Sequence, residues 1–541
     1  MVRRVGGLVV TLSVLAALAG CDRVLGLERR TLAPSSSSGP GGAGGQGGAG
    51  GQGGGGGPAG CTSALECEQG RFCQAGACTA LPPIPNGVEC KVLEPTEKAT
   101  VAEFDWTTKH HVLGTLFRLK NQGELPRLQA MRLAVRQINE AGGIREPMGP
   151  STKVAMVACD YGGSEGVDAG AKAEPAIRAG LDYLGPGLGA RVVVAGSSTS
   201  ATNTAIQHLM EQAIPVALLS SFSTSPTLND FNDVLPGAKA GLLWRTAPDD
   251  TIQARALARI VDGTKDATRL AILYVNDDYG TALQEAVVAN LADLPKKLQV
   301  KLAAFSATPT LMELEGKLNA LMSGDDKPDV LLIIGTDGKA ATLAFEAVLA
   351  TKNEGSFKGY VLADAAKEAT TLLDPKLSMG VRTLVSKARG TAPYHSTGPH
   401  YSTFETQLMT TFSIAAKDYS FIANSYDAVY LAGYALSWAH ASSELFDGRN
   451  VAEGLASLSS GKSVMIGSSS WNTATKGLTD LALMPRSIDV DGTSGRLDFD
   501  SNGQAPGPIE IWRASASGTS FETCAVCFAA GDKCDPTPCT P

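Results

Sequence analysis

The amino-acid sequence predicts an α/β fold built of parallel sheets, and three observations carry that prediction. Residues 191–228 hold a β-branched run at 191–195 stopped by Gly196, a helix-compatible segment at 201–213 and a second apolar run at 214–219. That is a strand, crossover helix, strand unit. From about Asp105 the same alternation of short apolar runs and amphipathic segments continues along the chain. Of the 541 residues, more than 400 follow that point, enough for two lobes with separate cores. Strands joined by helices throughout imply right-handed crossovers.

The chain begins with a different composition. Residues 1–20 carry Arg3 and Arg4, an apolar stretch at 8–18 and small residues before Cys21, which reads as an export signal too short to span a membrane. Leu18-Ala19-Gly20-Cys21 resembles the lipobox of bacterial lipoproteins. That resemblance implies a lipid on Cys21 and an exported, membrane-anchored protein facing the periplasm or the cell exterior. Residues 34–60 are Gly- and Ser-rich and nearly free of apolar side chains, so the expectation is a flexible tether with a mean reach of about 30 Å. Cys61, Cys67, Cys73 and Cys78 follow at close spacing, with Cys90 beyond, and Cys524, Cys527, Cys534 and Cys539 repeat the pattern in the tail. In an oxidising compartment such clusters read as disulfide staples, mainly local, although Cys90 or Cys159 is placed to join a distant partner. Connectivity stays open, and zinc is the alternative use of the same residues.

Within the globular part a strand is predicted at 111–119, an amphipathic helix at 128–141 and a strand at 153–158 closed by Cys159 and Asp160. The unit at 191–219 comes next. After Pro248 a second series has strands at 270–275, 300–305, 329–335 and 360–363, alternating with helices at 281–291, 310–322, 339–350 and 367–373. Long helices are predicted at 403–416 and 423–443.

Small hydroxyl residues follow both runs of the first unit. Ser197, Ser198, Thr199 and Ser200 stand after one, and Ser220, Ser221, Ser223, Thr224 and Ser225 after the other. Both clusters fall at the carboxyl ends of neighbouring parallel strands, where backbone N–H groups and helix N-termini favour an anionic ligand. Any one hydroxyl serves equally well as a helix cap, but two dense clusters on one edge point to a ligand.

With Gly196-Ser197-Ser198, the strand at 214–216 and Ser223-Thr224-Ser225-Pro226, the chain resembles the first lobe of type I periplasmic solute-binding proteins. This is the group of the leucine/isoleucine/valine-binding protein, related to receptor ligand-binding regions. Further motifs match in the family's order: INEAGGI at 138–144, RTAPDD at 245–250, DDYG at 277–280, YDAVY at 426–430 and GRLDFDSNG at 495–503. The resemblance implies two Rossmann-like lobes joined by three hinge crossings, plus small disulfide-rich segments. Lobe 1 is then 105–247 and 383–485, and lobe 2 is 248–382 and 486–514. Around them lie the signal at 1–20, the lipidated N-terminus and linker at 21–60, the Cys-rich module and connector at 61–104, and the Cys-rich tail at 515–541.

The resemblance also implies an interlobe site. Ser197, Ser198, Ser223, Thr224 and the backbone of Phe222 would hold a ligand carboxylate and part of its amine. Tyr279 would cover the ligand and Asp364 would receive its ammonium, with Asp250 assisting. Where the leucine-binding pattern has an aromatic after the strand at 329–335, this chain has Thr336 and Asp337.

Other chemistries find little support. Gly461-Lys462-Ser463 lacks the first glycine of a phosphate-binding loop, no Ser sits in a G-x-S-x-G elbow, and six scattered histidines give no metal constellation. A net charge of −8 without a basic stripe argues against nucleic acid. The expectation is a non-enzyme without cofactor or metal. As a lipid-anchored receptor it would capture an amino-acid-like or amide-like molecule for an ABC-type permease. The alternative is a surface sensory or interaction lipoprotein that keeps the fold and presents its Cys-rich module to another protein.

Overall fold

The computed structural model describes residues 72–74, 77–79, 81–106, 108–147, 150–162, 173–195, 198–442, 446–482, 486–528 and 534–536. The predicted export signal, Cys21, the tether, Cys61, Cys67 and Cys539 lie outside the described residues, and so does Ser197.

A hairpin of β1 (Phe72–Gln74) and β2 (Ala77–Thr79) precedes β3 (Glu89–Glu94). The first lobe continues with β4 (His110–Phe117), α1 (Leu125–Glu140), β5 (Lys153–Asp160), α2 (Ala173–Asp182), β6 (Val192–Ala195), α3 (Thr199–Glu211), β7 (Ala217–Ser220) and β8 (Leu243–Arg245). Its sheet order is β3-β5-β4-β6-β7-β8, parallel except for β3. Both faces are covered, so the strands read as unbroken apolar runs; all of Val192, Val193, Val194 and Ala195 are buried. In α1 the apolar side chains of Leu128, Met131, Val135 and Ile138 recur every three or four residues and enter the core, after Pro126 has set the first turn.

The second lobe opens with α4 (Asp250–Asp262). It runs through β9 (Arg269–Val275), α5 (Asp278–Asp293), β10 (Gln299–Phe305), α6 (Leu311–Leu321), β11 (Val330–Ile334), α7 (Gly338–Ala350), β12 (Gly359–Leu362), α8 (Ala369–Leu372), α9 (Met379–Lys387) and β13 (Ala388–Pro393). The chain returns to lobe 1 as α10 (Pro399–Phe412), α11 (Ile422–Ser442), α12 (Gly448–Ala456), β14 (Lys462–Met465), α13 (Ser468–Thr479), β15 (Ile488–Gly492) and β16 (Gly495–Arg496). It finishes lobe 2 with β17 (Ile509–Ala514), β18 (Phe521–Cys527) and β19 (Cys534–Pro536). The lobe 2 sheet has the order β10-β9-β11-β12-β13-β17-β18-β19, parallel up to β13 and antiparallel beyond. Two parallel-sheet lobes joined by three crossings are as predicted, and each lobe has its own core.

The boundaries differ from the expected ones in four places. The second crossing follows Pro393 instead of residue 382, because the segment Ala388–Pro393 is held between β12 and β17. Gly390 makes that pairing possible, since a Cβ there would stand 2.2 Å from the indole of Trp512. The third crossing follows Arg496 instead of residue 485, because β15 and β16 form a small sheet with β14 and the turn between them is anchored on lobe 1. There Asp427 of α11 accepts hydrogen bonds from Thr493 N (3.0 Å) and Ser494 N (2.8 Å). The connector before residue 105 supplies β3, tied to β5 by a Cys90–Cys159 disulfide. The tail beyond residue 514 supplies β18 and β19, closed by Cys527–Cys534.

Candidate functional site

The carboxyl ends of the parallel strands of both lobes meet around one small cavity. Ser198 and Thr199 at the start of α3, with Phe222 and Thr224 after β7, form the lobe 1 wall. Asp277 and Tyr279 after β9, Thr336 after β11, and Asp364 and Ala365 after β12 form the lobe 2 wall. The lobes stand close, and only about 10 Å³ is open to the centre of a water molecule, roughly one water. Further contacts hold the walls together. Asn203 Nδ2 donates to Asp278 Oδ2 across the lobes (3.0 Å), and Ser420 Oγ to the Asp364 carbonyl (2.6 Å).

Of the expected residues, Ser198, Phe222, Thr224, Tyr279 and Asp364 line this cavity. Ser198 Oγ also caps α3, accepting from Ala201 N at 3.1 Å. The Phe222 N–H points to Ser220 Oγ at 3.5 Å. Ser223 turns inward instead: its Oγ lies 2.7 Å from Thr202 Oγ1 and 2.8 Å from Ser220 Oγ, in a network that splices the two loops. Asp250 stands behind the wall, fully buried in the first turn of α4, where its Oδ2 accepts from Thr224 Oγ1 at 3.0 Å. Thr199, Asp277, Thr336 and Ala365 also line the cavity and were not singled out as binding residues. Their common signal is position, within a few residues of the end of a parallel strand.

The wall is acidic. No Lys or Arg is among its described lining residues, and Tyr279 OH donates to Asp364 Oδ1. Burial raises the Asp364 carboxyl above its ordinary range, against the hydrogen bond from Tyr279. Burial also pushes Asp250 well up, reinforced by the charge of Asp364 beside it, and among the described residues its Oδ1 has no hydrogen-bond partner. Asp277, which caps α5 by accepting from Gly280 N at 2.8 Å, is pushed up to about 6, again mainly by burial. These groups share one electrostatic condition, carboxyls out of water with no countercharge in the wall, and a ligand cation relieves it.

A basic group stands one layer back. The Arg127 guanidinium stacks on Phe222, 4.2 Å from the ring centre, and pairs across the lobes with Glu368 at 3.0 Å, both side chains 1% exposed. Glu368 Oε2 also accepts from Gly338 N at the start of α7.

Residues 126–517 match the family described as the receptor family ligand binding region. No match is found among curated proteins. Among solved structures, the fold is similar to that of the leucine-binding protein LivK of Thermotoga maritima, with 14% identity, a TM-score of 0.57 and coverage of 77% of this chain and 99% of that one. It is similar too to the branched-chain amino acid transporter substrate-binding protein LivJ of Streptococcus pneumoniae, solved with isoleucine (16%, TM-score 0.54, 77% and 99%). An ABC transporter substrate-binding protein of Desulfitobacterium hafniense solved with Leu gives 18%, a TM-score of 0.50 and coverage of 77% and 100%.

Proposed function

Since the chain belongs to the family of receptor ligand-binding regions, over residues 126–517, we propose that it captures a small amino-acid-like ligand between its lobes. The observation that carries this reading is a cavity with hydroxyls and a helix N-terminus on one wall and countercharge-free carboxyls on the other. A zwitterion fits that polarity. Its carboxylate meets the first turn of α3 and Thr224, where the helix dipole and free N–H groups favour an anion. Its ammonium meets Asp364, with Asp250 behind. Because the closed cavity has room for about one water, the lobes part at the three crossings to admit the ligand and close over it.

In the full reading the protein hangs from a membrane by a lipid on Cys21, with the tether giving it reach, and hands its ligand to an ABC-type permease. The similar solved structures are of substrate-binding proteins of such transporters. The long tether and the two Cys-rich appendages are what favour an interaction lipoprotein, yet the strands of the C-terminal one continue the sheet of lobe 2, which supports the receptor reading.

A thermal-shift screen of the mature chain against amino acids, amides, amines and small carboxylates tests the proposal. A ligand at about a hundred times its dissociation constant stabilises by roughly 2.7 kcal/mol. Stabilisation by a zwitterion and not by its amide or decarboxylated analogue is the expected result. A response confined to simple carboxylates would sink the assignment of Asp364 to a cation.

A further inference from the structure

Two of the six histidines that look scattered in the sequence come together in the fold, at the edge of the lobe 1 sheet opposite the cleft. His111 lies at the start of β4, His440 in the last turn of α11, and Glu146 in the loop between α1 and β5. Glu146 Oε1 is 4.0 Å from His111 Nε2 and 3.7 Å from His440 Nε2, and one donor atom from each of the three residues lies within 4.8 Å of the others.

We propose that His111, Glu146 and His440 bind a divalent transition-metal ion of the zinc type, which clasps β4, the loop after α1 and the end of α11. Two imidazole nitrogens and one carboxylate oxygen are a zinc donor set, with a fourth position left for water. Around a zinc ion with bonds of about 2.1 Å, tetrahedral donors stand roughly 3.4 Å apart, so the three groups need only draw in slightly.

Independent features point the same way. His111 is 4% exposed, and its Nε2, which faces Glu146, has no hydrogen-bond partner among the described residues. A buried, unpaired ring nitrogen costs free energy, and a metal ion removes that cost. The C-terminal end of α11 presents the negative end of its dipole to a cation at His440. Thr152 Oγ1 donates to Glu146 Oε1 and orients the carboxylate from the second layer.

Two nearby cations temper the affinity. Lys109 pairs with Glu146, and its side chain is 35% exposed, so it is free to swing into water when a metal takes that oxygen. Arg191 lies near His111 but is held against Phe446, its guanidinium 4.2 Å from the ring centre. Removing the lysine should therefore tighten the site.

The test uses the mature, oxidised protein, stripped with chelator and then equilibrated with micromolar zinc or cobalt. The wild type should retain one equivalent resistant to dialysis, gain thermal stability with zinc, and show tetrahedral cobalt absorption bands. His440→Ala and Glu146→Gln should lose the equivalent and the zinc-dependent stabilisation, while Lys109→Met should bind more tightly. His440→Ala also separates this site from the cysteines: unchanged stoichiometry in that variant would assign the zinc elsewhere and overturn the proposal. Failure of the wild type to take up metal would do the same. Should Glu146→Gln fold poorly, His440→Ala, at the half-buried end of a helix, decides the matter.

Discussion

Asp250, Asp277 and Asp364 stand at or just behind a cavity with no basic side chain among its described lining residues. Their raised pKa values have a consequence for the ligand-free protein. An acid whose folded pKa lies above its unfolded value contributes stability below the unfolded value and loses that contribution as pH rises through the folded one. Ligand-free stability should thus fall as pH rises from about 4, with the Asp277 part lost through about 6, and Asp250→Asn should flatten that fall, as thermal melts across the range will show. Ligand binding reverses the balance, because an ammonium facing ionised Asp364 is a buried pair. Losing one partner costs roughly 2–5 kcal/mol. Asp364→Ala and Thr224→Ala should each abolish ligand-induced stabilisation while leaving the apo protein folded; native affinity in titrations of both would count against the site. Thr224 stood out in the sequence as one of the hydroxyls after a strand, whereas Phe222, Tyr279 and Asp364 came only from the family resemblance; all four line the cavity. The inward turn of Ser223 was not legible, since a hydroxyl that binds and one that splices two loops look alike until Thr202 and Ser220 are packed against it.

At the level of elements, the alternating units with continuous apolar strands were read from the sequence to within a few residues, as at Lys153–Asp160 and Gly338–Ala350. The strand Ala388–Pro393, sequence ARGTAP, was not, because Gly, Pro and Arg carry no strand signal of their own. It is a strand because β12 and β17 flank it and Trp512 lies over Gly390. Neither was the pairing of Cys90 with Cys159, since β3 joins the sheet antiparallel from outside the repeated pattern. That bridge spans 69 positions, so cross-linking of the unfolded chain alone is worth about 4 kcal/mol. Replacing both cysteines by Ala should lower stability by an amount of that order in denaturant titrations, about 2 kcal/mol more than loss of Cys527–Cys534, which spans only 7 positions.

On the scale of the whole molecule, the Arg127–Glu368 pair makes closure itself sensitive to pH. Burial in the closed interface pushes Glu368 up to about 7, against the pull of Arg127; Asp337 adds to the rise, while Gly338 N and Arg118 oppose it. When the lobes part, water restores the ordinary value, so the closed form binds the proton more tightly. Closure of the ligand-free protein should weaken as pH climbs through about 7, seen as a larger radius of gyration in solution scattering. Glu368→Gln should hold the radius constant over that interval, and an unchanged pH response in the variant would locate the switch elsewhere.

The segments added at either end of the two-lobed body do one further thing. Strand β3 closes one flank of the lobe 1 sheet and β19 one flank of the lobe 2 sheet, each beside a disulfide. An open flank with unpaired N–H and C=O groups is a template on which another chain can stack. Without its tail, lobe 2 would expose β17, an apolar strand of Ile509, Ile511 and Trp512, along its full length. The Cys90–Cys159 and Cys527–Cys534 bridges, which hold these flanking strands, thus guard against self-association as much as they brace the fold.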